Sequence, residues 1–313
     1  MPLTRRSVVL DRDAPRADIV VQGLTGATRA VVRGMFDAGC VTVDGARCGE
    51  PGARAAAGAR VEVAFEAGRR YRETQAASEH GGFRGGFRVA FEDRHLVVVE
   101  KPAGMLTVPT VRREKDTLVH LVARHFSRGR RELRRAFIVH RLDRDASGVL
   151  VFARSDAVAR ALKAQFEDRK PEREYAVIVA GTVARDAGTF RSFLATGEDL
   201  DQRSTGEPGE GKLAVTHFEV LRRLRGATYL RVRLETGRRN QIRVHFAEAG
   251  HPVLGDTRYE PARARHPLWR EPRIALHALT LGFVHPVAGA RVRVTSDLPR
   301  AFVTFLDAAG AGG

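Results

Sequence analysis

The sequence predicts an α+β protein in two unequal parts, and three observations carry that expectation. From Arg88 onward, apolar runs of strand length recur, as in residues 95–100, 149–152 and 173–181. Helical periodicity is confined to a few stretches between them, at residues 117–126, 156–169 and 240–250. Ahead of both, residues 17–66 carry a helix, a short strand and an Asp-Gly turn of their own, set off by a polar, glycine-rich stretch. With 313 residues the chain has enough length for one large core or two unequal ones.

In the first part, residues 27–38 place Val31, Val32, Met35 and Phe36 on one helical face, and Gly39 stops the helix. Residues 40–45 read as an alternating strand ending in the Asp44-Gly45 hairpin signal, and residues 57–63 as its partner. Helix, strand, Asp-Gly turn and final strand resemble the S-four-type RNA-binding domain, whose pattern Ala38-Gly39-Cys40-Val41-Thr42-Val43-Asp44-Gly45 and Ala57-Gly58-Ala59-Arg60-Val61-Glu62-Val63 follow. The first helix of that pattern, around Gln22 to Thr25, fits poorly because Gly23 and Gly26 weaken it. The competing expectation is an α/β extension packed on the main domain. Residues 69–87 read as a flexible basic linker.

The second part opens with strands at residues 88–93 and 95–100, followed by a rigid loop at Lys101-Pro102-Ala103-Gly104-Met105. Leu118, Leu121, Val122 and Phe126 give an amphipathic helix, and residues 128–135 a dense basic run containing Arg134 and Arg135. Two apolar runs, residues 137–139 and 149–152, then flank a charged segment from His140 to Asp145. Charge packed against a sheet is costly unless it is paired or used, which singles out Asp143. Ser155 caps a helix over 156–169 that Pro171 ends. Residues 173–181 are a strand carrying Tyr175, residues 194–212 a polar surface loop, and residues 213–221 and 228–235 strands joined by a basic turn at 222–226. Arg238, Arg239, Asn240, Gln241 and Arg243 gather at the start of a short helix, with Asn240 as N-cap and Gly250 as its stop, which makes an anion site. Strands at 274–281 and 291–295 close the domain, and residues 308–313 are expected to be disordered.

Composition points the same way. Lys+Arg number 53 against 37 Asp+Glu, a net charge of +16, and such a field favours a polyanionic partner, nucleic acid first. No apolar run has membrane-span length and residues 1–10 carry no signal-peptide core, so a cytoplasmic protein away from membranes is expected. Two cysteines, Cys40 and Cys48, are too few for a disulfide framework or a four-cysteine metal site.

Four segments resemble the RluA-type pseudouridine synthases, in that family's order. They are Val98-Val99-Glu100-Lys101-Pro102-Ala103-Gly104-Met105, His140-Arg141-Leu142-Asp143-Arg144-Asp145-Ala146-Ser147-Gly148, Arg173-Glu174-Tyr175-Ala176-Val177-Ile178-Val179-Ala180-Gly181, and Thr236-Gly237-Arg238-Arg239-Asn240-Gln241-Ile242-Arg243-Val244-His245. The stretches His251-Pro252-Val253-Leu254-Gly255-Asp256, Leu276-His277-Ala278 and His285-Pro286 also fit. Ala146, Asn240 and Arg173 depart from the family's usual Thr, His and Lys.

The resemblance implies a pseudouridine synthase catalytic fold, a mixed and mainly antiparallel sheet with flanking helices. It divides the chain into an RNA-binding domain at 1–68, the linker at 69–87, the catalytic domain at 88–308 and a disordered tail at 309–313. It implies isomerisation of uridine to pseudouridine in RNA with no cofactor and no metal, by a monomer, on large-subunit ribosomal RNA or else transfer RNA. Asp143 would act at the sugar as nucleophile or base, Arg243 would keep it ionised, and Tyr175 would stack on the uracil. The target base must be flipped out to be reached. Arg141, Arg238, Arg239, Gln241, Lys101, Arg134 and Arg135 are the RNA-binding candidates. The rival reading, a non-catalytic RNA-binding protein on a synthase scaffold, expects Asp143 or Arg243 to be lost, and both are present. A metal-dependent nuclease would need clustered carboxylates or histidines, where the central turn has only Asp143 and Asp145 among arginines.

Overall fold

The computed structural model describes residues 3–11, 16–48, 52–66, 86–129, 132–197, 201–205, 207 and 209–310. The chain divides into two compact units, Met1–Ser78 and Glu79–Gly313.

In the first unit, strands β1 (Leu3–Val9), β2 (Val41–Val43), β3 (Ala46–Arg47) and β4 (Arg60–Glu66) form a sheet in the order β1-β4-β2-β3, with helices α1 (Ala17–Thr25) and α2 (Arg29–Asp37). Asp44 and Gly45 both have positive φ, at 50° and 79°, as the two-residue hairpin turn requires. Val21, Val32, Phe36, Val41, Val61 and Val63 make the core. The weak first helix is present: α1 buries Ala17 and Val21, and Gly26 ends it in the left-handed conformation with its N–H on the Gln22 carbonyl. Burial outweighs the propensity cost of Gly23. Strand β1 has no sequence counterpart in the expectations above, because its edge position leaves most of its side chains exposed.

The second unit carries β5 (Arg88–Glu92), β6 (Leu96–Lys101), α3 (Leu118–Phe126), β7 (Phe137–Ile138), β8 (Ser147–Ala153), α4 (Asp156–Glu167), β9 (Glu172–Ala180), β10 (Ala187–Thr196) and β11 (Gln202–Thr205). It continues with β12 (Lys212–Leu224), β13 (Ala227–Leu234), α5 (Gln241–Glu248), β14 (Leu276–Val284), β15 (Arg291–Thr295) and α6 (Arg300–Gly310). The sheet runs β11-β10-β12-β13-β9-β14-β8-β6-β5, with β15 on β14 and β7 on β8. Among the described residues only β14 and β8 pair in parallel, so the sheet is mixed and mainly antiparallel, as expected. Its central strands are buried on both faces. Leu118, Val122, Phe246, Phe302 and Phe305 pack on one side and Val158 and Leu162 of α4 on the other. Ser155 caps α4 as expected, accepting from the Val158 N–H.

Three expectations change. Residues 194–212 are not one loop: β10 runs through Thr196 and β11 folds back on it, held by Ser204, whose hydroxyl bonds Ser192 and the Glu248 carboxylate. The pair sits at the sheet's edge, where polar faces are tolerated and the apolar signal is weak. The basic turn at 222–226 shrinks to residues 225–226, since β12 continues through a bulge between Val220 and Arg222. The tail is ordered as far as Gly310: α6 buries Phe302, Phe305, Leu306 and Ala309, and residues 311–313 lie outside the described residues. The linker at 69–87 falls almost wholly outside them as well.

Candidate active site

Asp143 sits on the loop between β7 and β8, and that loop is pinned from beneath. Thr107 brackets Leu142, its hydroxyl donating to the Leu142 carbonyl at 2.8 Å and accepting the Leu142 N–H at 3.2 Å. Lys101 donates to the carbonyls of Pro102, Met105 and Arg144 at 2.8, 2.8 and 2.9 Å. Where the loop rejoins the sheet, Ser147 Oγ pairs with His277 Nδ1 at 2.7 Å and accepts from Arg273 at 2.8 Å. Gly148 follows at φ 117°, and a Cβ there would lie 2.1 Å from the Ala278 carbonyl oxygen. Parallel pairing of β8 and β14 at Gly148 and Ala278 needs this close approach.

Arg243 comes from the facing helix α5. Its Nη1 lies 3.4 Å from Asp143 Oδ2, while Nε and Nη2 donate to the two oxygens of Asp256 at 2.6 and 2.8 Å. The Asp256 side chain is fully buried and also accepts the N–H groups of Arg258 and Tyr259. The Tyr259 ring lies 5.1 Å from the guanidinium. Burial works against the Arg243 charge, but the carboxylates of Asp256 and Asp143 outweigh it and hold the guanidinium firmly protonated. Asn240 stands at the N-cap position with left-handed φ 53°, but makes no capping bond. Its side chain instead accepts from Arg243 Nη1 at 3.2 Å and donates to the Tyr259 hydroxyl at 3.0 Å. The departure from the family's usual His therefore puts an amide where it steadies Arg243.

Tyr175 projects from β9 between β13 and β14. Among the described residues nothing hydrogen-bonds its hydroxyl. Burial pushes the phenol up, the neighbouring Arg173 resists and Asp143 adds to the rise, so Tyr175 is neutral at pH 7. Asp143 and Tyr175 line one cavity of about 610 Å³ together with Arg141, Arg173, Arg238 and Arg239. A smaller space of about 60 Å³, shared by Asp143, Tyr175 and Arg243, adjoins it beside the buried Ala146. The larger cavity is of the size that holds a nucleoside.

The structure separates the RNA-binding candidates. Arg141, Arg238 and Arg239 reach the cavity wall. Arg134 and Arg135 are exposed but do not line it, and residues 130 and 131 of that basic run lie outside the described residues. Lys101 and Gln241 are corrections. Lys101 is 1% exposed and spends its ammonium on three carbonyls, so it holds the loop rather than lining the cavity. Gln241, 2% exposed, satisfies its amide on Thr236, Arg238, Val215 and Thr216. The sequence reading misses Asp256 and Arg173. Asp256 is an acid ending an apolar, glycine-marked stretch, and such a residue is buried only with a partner. Among the described residues no three His, Cys, Asp or Glu side chains are grouped to hold a metal, and no helix is long and apolar enough to cross a membrane.

A carboxylate gripped by arginine, beside an unpartnered phenol in a cavity walled by cations, suits chemistry on a nucleoside of a polyanion. Residues 95–248 match the family described as RNA pseudouridylate synthase. The ribosomal large subunit pseudouridine synthase D of Zymomonas mobilis is 37% identical over 219 residues, 68% of this chain and 69% of that one. The chain belongs to the RNA pseudouridylate synthase family. The synthase of the same name from Pseudomonas aeruginosa is 36% identical over 228 residues, covering 70% of each chain. The human RNA pseudouridylate synthase domain containing 4 shares the fold, with a TM-score of 0.55 and 23% identity over 70% of this chain and 91% of that one. The protein is thus an isomerase that converts uridine to pseudouridine in RNA. The non-catalytic reading has nothing in its favour, since the matched region contains Asp143, Tyr175 and Arg243.

Proposed function

We propose that this synthase modifies uridines of large-subunit ribosomal RNA, with Asp143 as its catalytic carboxylate. The observation that carries the assignment is the 610 Å³ cavity that Asp143 and Tyr175 line together, with Arg243 reaching Asp143 at 3.4 Å. The reaction breaks the bond between the sugar and the uracil nitrogen, turns the ring, and forms a bond from the same sugar to a ring carbon, which gives up a proton while the released nitrogen takes one up. Nothing is oxidised or reduced. Asp143 acts at the sugar, as nucleophile or as base, and needs its negative charge for either role; the Arg243 guanidinium favours that charge. Tyr175 offers a ring face for the uracil and a free hydroxyl at the cavity wall. Arg141, Arg238 and Arg239 hold the backbone of the flipped strand.

The first unit, with its basic Arg5, Arg6, Arg47 and Arg60, serves as the S-four-type RNA-holding module, and the enzyme works as a cytoplasmic monomer. The substrate assignment rests on the relatives from Zymomonas mobilis and Pseudomonas aeruginosa, whose names specify the ribosomal large subunit. Pseudouridine mapping in a strain lacking the gene tests it. Ribosomal sites should disappear and return with the wild-type gene but not with Asp143→Ala. Loss confined to transfer RNA would overturn the substrate assignment.

A further inference from the structure

Arg173 is a buried cation that no carboxylate among the described residues neutralises. It is 8% exposed, and its Nη2 donates to the carbonyls of Leu234 and Glu235 at 3.1 and 2.8 Å. Its Nε has no partner, and no bond from Nη1 exists among the described residues. Among the described residues no carboxylate pairs with it: the neighbouring Glu174 pairs with Arg233, and the Glu235 carboxylate with Arg169 and His217. Burial pushes the guanidinium below its usual range, with Tyr175 resisting and Arg238 adding to the fall. A desolvated guanidinium with no counter-charge is expensive, and a second cation nearby raises the cost.

The position of the residue shows where the missing charge belongs. Arg173 and Tyr175 are two apart on β9 and share a face of the strand, so both line the 610 Å³ cavity. The two carbonyls and the Phe166 ring, 5.3 Å from the guanidinium carbon, fix the group in place. Gly237 lies against its outer edge, where a Cβ would come within 2.8 Å of Nη1. Absence of a side chain at Gly237 keeps that edge open, and Gly237 itself lines the cavity.

We infer that Arg173 is the seat for a backbone phosphate of the flipped uridine, engaging one phosphodiester through its open Nη1 edge with Arg238 alongside. Arginine suits the role because its planar fork meets phosphate oxygens with parallel hydrogen bonds. The wall then divides its work. Tyr175 and Asp143 face the base and sugar, and Arg173 secures the neighbouring phosphate and so fixes the depth of the nucleotide. The inference rests on the reading of this cavity as the uridine site, and binding tests it without turnover.

The full-length protein is titrated by NMR with uridine, uridine 5′-monophosphate and uridine 3′-monophosphate. At least one nucleotide should bind wild type about tenfold more tightly than the nucleoside, as hydrogen bonds to a charged group imply. Arg173→Met should bring that ratio close to one while leaving uridine binding in place. Gly237→Ala, which crowds Nη1 at a φ outside the left-handed region, should lower the ratio even if Arg173→Met fails to fold. Equal binding of nucleoside and nucleotides by wild type, or a ratio that survives Gly237→Ala or a folded Arg173→Met, overturns the proposal. Failure of the function itself would show separately, as wild-type protein that makes no pseudouridine in RNA.

Discussion

Arg243 Nη1 lies 3.4 Å from Asp143 Oδ2, a longer reach than the 2.6 and 2.8 Å bonds that tie the same guanidinium to Asp256. The tight end fixes the arginine and the loose end meets the cavity. Stability and chemistry should therefore separate along this one side chain. Arg243→Met leaves Asp256 buried and unpaired, and should lower unfolding stability by about 3 kcal/mol as well as abolish product. Asp143→Ala removes the partly open end, and should abolish product while stability changes by less than about 1 kcal/mol. Chemical denaturation of both variants, read beside product formation, checks the split. Equal stability losses would contradict it.

The Tyr175 hydroxyl makes no bond within the described residues. Tyr175→Phe should therefore hold stability to within about 0.5 kcal/mol of wild type. Turnover should fall, because the hydroxyl faces the cavity, while Tyr175→Ala should lose the stacking face and cost more. Single-turnover rates and melting curves for both variants give the comparison. Unchanged turnover in Tyr175→Phe would leave the ring alone as the working part.

Histidines that burial holds neutral make the fold sensitive to acid, His245 and His277 among them. Burial pushes His245 down to about 4, with Glu248 resisting. Burial, helped by Arg273 and resisted by the Asp297 carbonyl, takes His277 down to about 3. In the unfolded chain both protonate near pH 6.5, so the unfolded state binds more protons between about 6.5 and 3–4. Stability is thus full above pH 6.5 and erodes as the pH falls, by roughly 1.4 kcal/mol per unit for each histidine. Urea midpoints should drop between pH 7.5 and 5, and His245→Gln should reduce that drop. A midpoint independent of pH across this range would count against neutral, buried rings.

Gly148 has the tightest requirement around the loop. Alanine there needs φ 117° and puts a Cβ 2.1 Å from the Ala278 carbonyl oxygen, so β8 and β14 must move apart. Gly148→Ala should cost roughly 3 kcal/mol or more and lower activity through the displaced Asp143 loop. Thermal melting decides it, and a variant that melts like wild type would mean that the pairing tolerates the extra carbon.

The Asp143 loop, the Ser155 cap and the Arg243 helix were legible in the sequence, because each rests on local chemistry: a charge between apolar runs, a hydroxyl ahead of a helix, and cations before a glycine-stopped helix. Strands β1, β10 and β11 were not, since edge strands carry little apolar signal. Lys101 and Gln241 misled for a related reason. A cation and an amide in a functional motif read as ligand contacts, and only the fold shows that backbone carbonyls and buried hydroxyls already satisfy them. Arg173 erred in the opposite direction, being read only as a variant of a common lysine. Its proposed role rests on the lack of a carboxylate partner among the described residues, which depends on how β9, β13 and α5 come together.

The central claim is that Asp143, held by Arg243, isomerises uridine in RNA. Purified protein is incubated with unmodified large-subunit ribosomal RNA, beside Asp143→Ala at matched folding, and pseudouridine is measured by mass spectrometry. Wild type should form pseudouridine at discrete positions and Asp143→Ala none. Equal product from the two proteins, or unchanged RNA from wild type, would contradict the account.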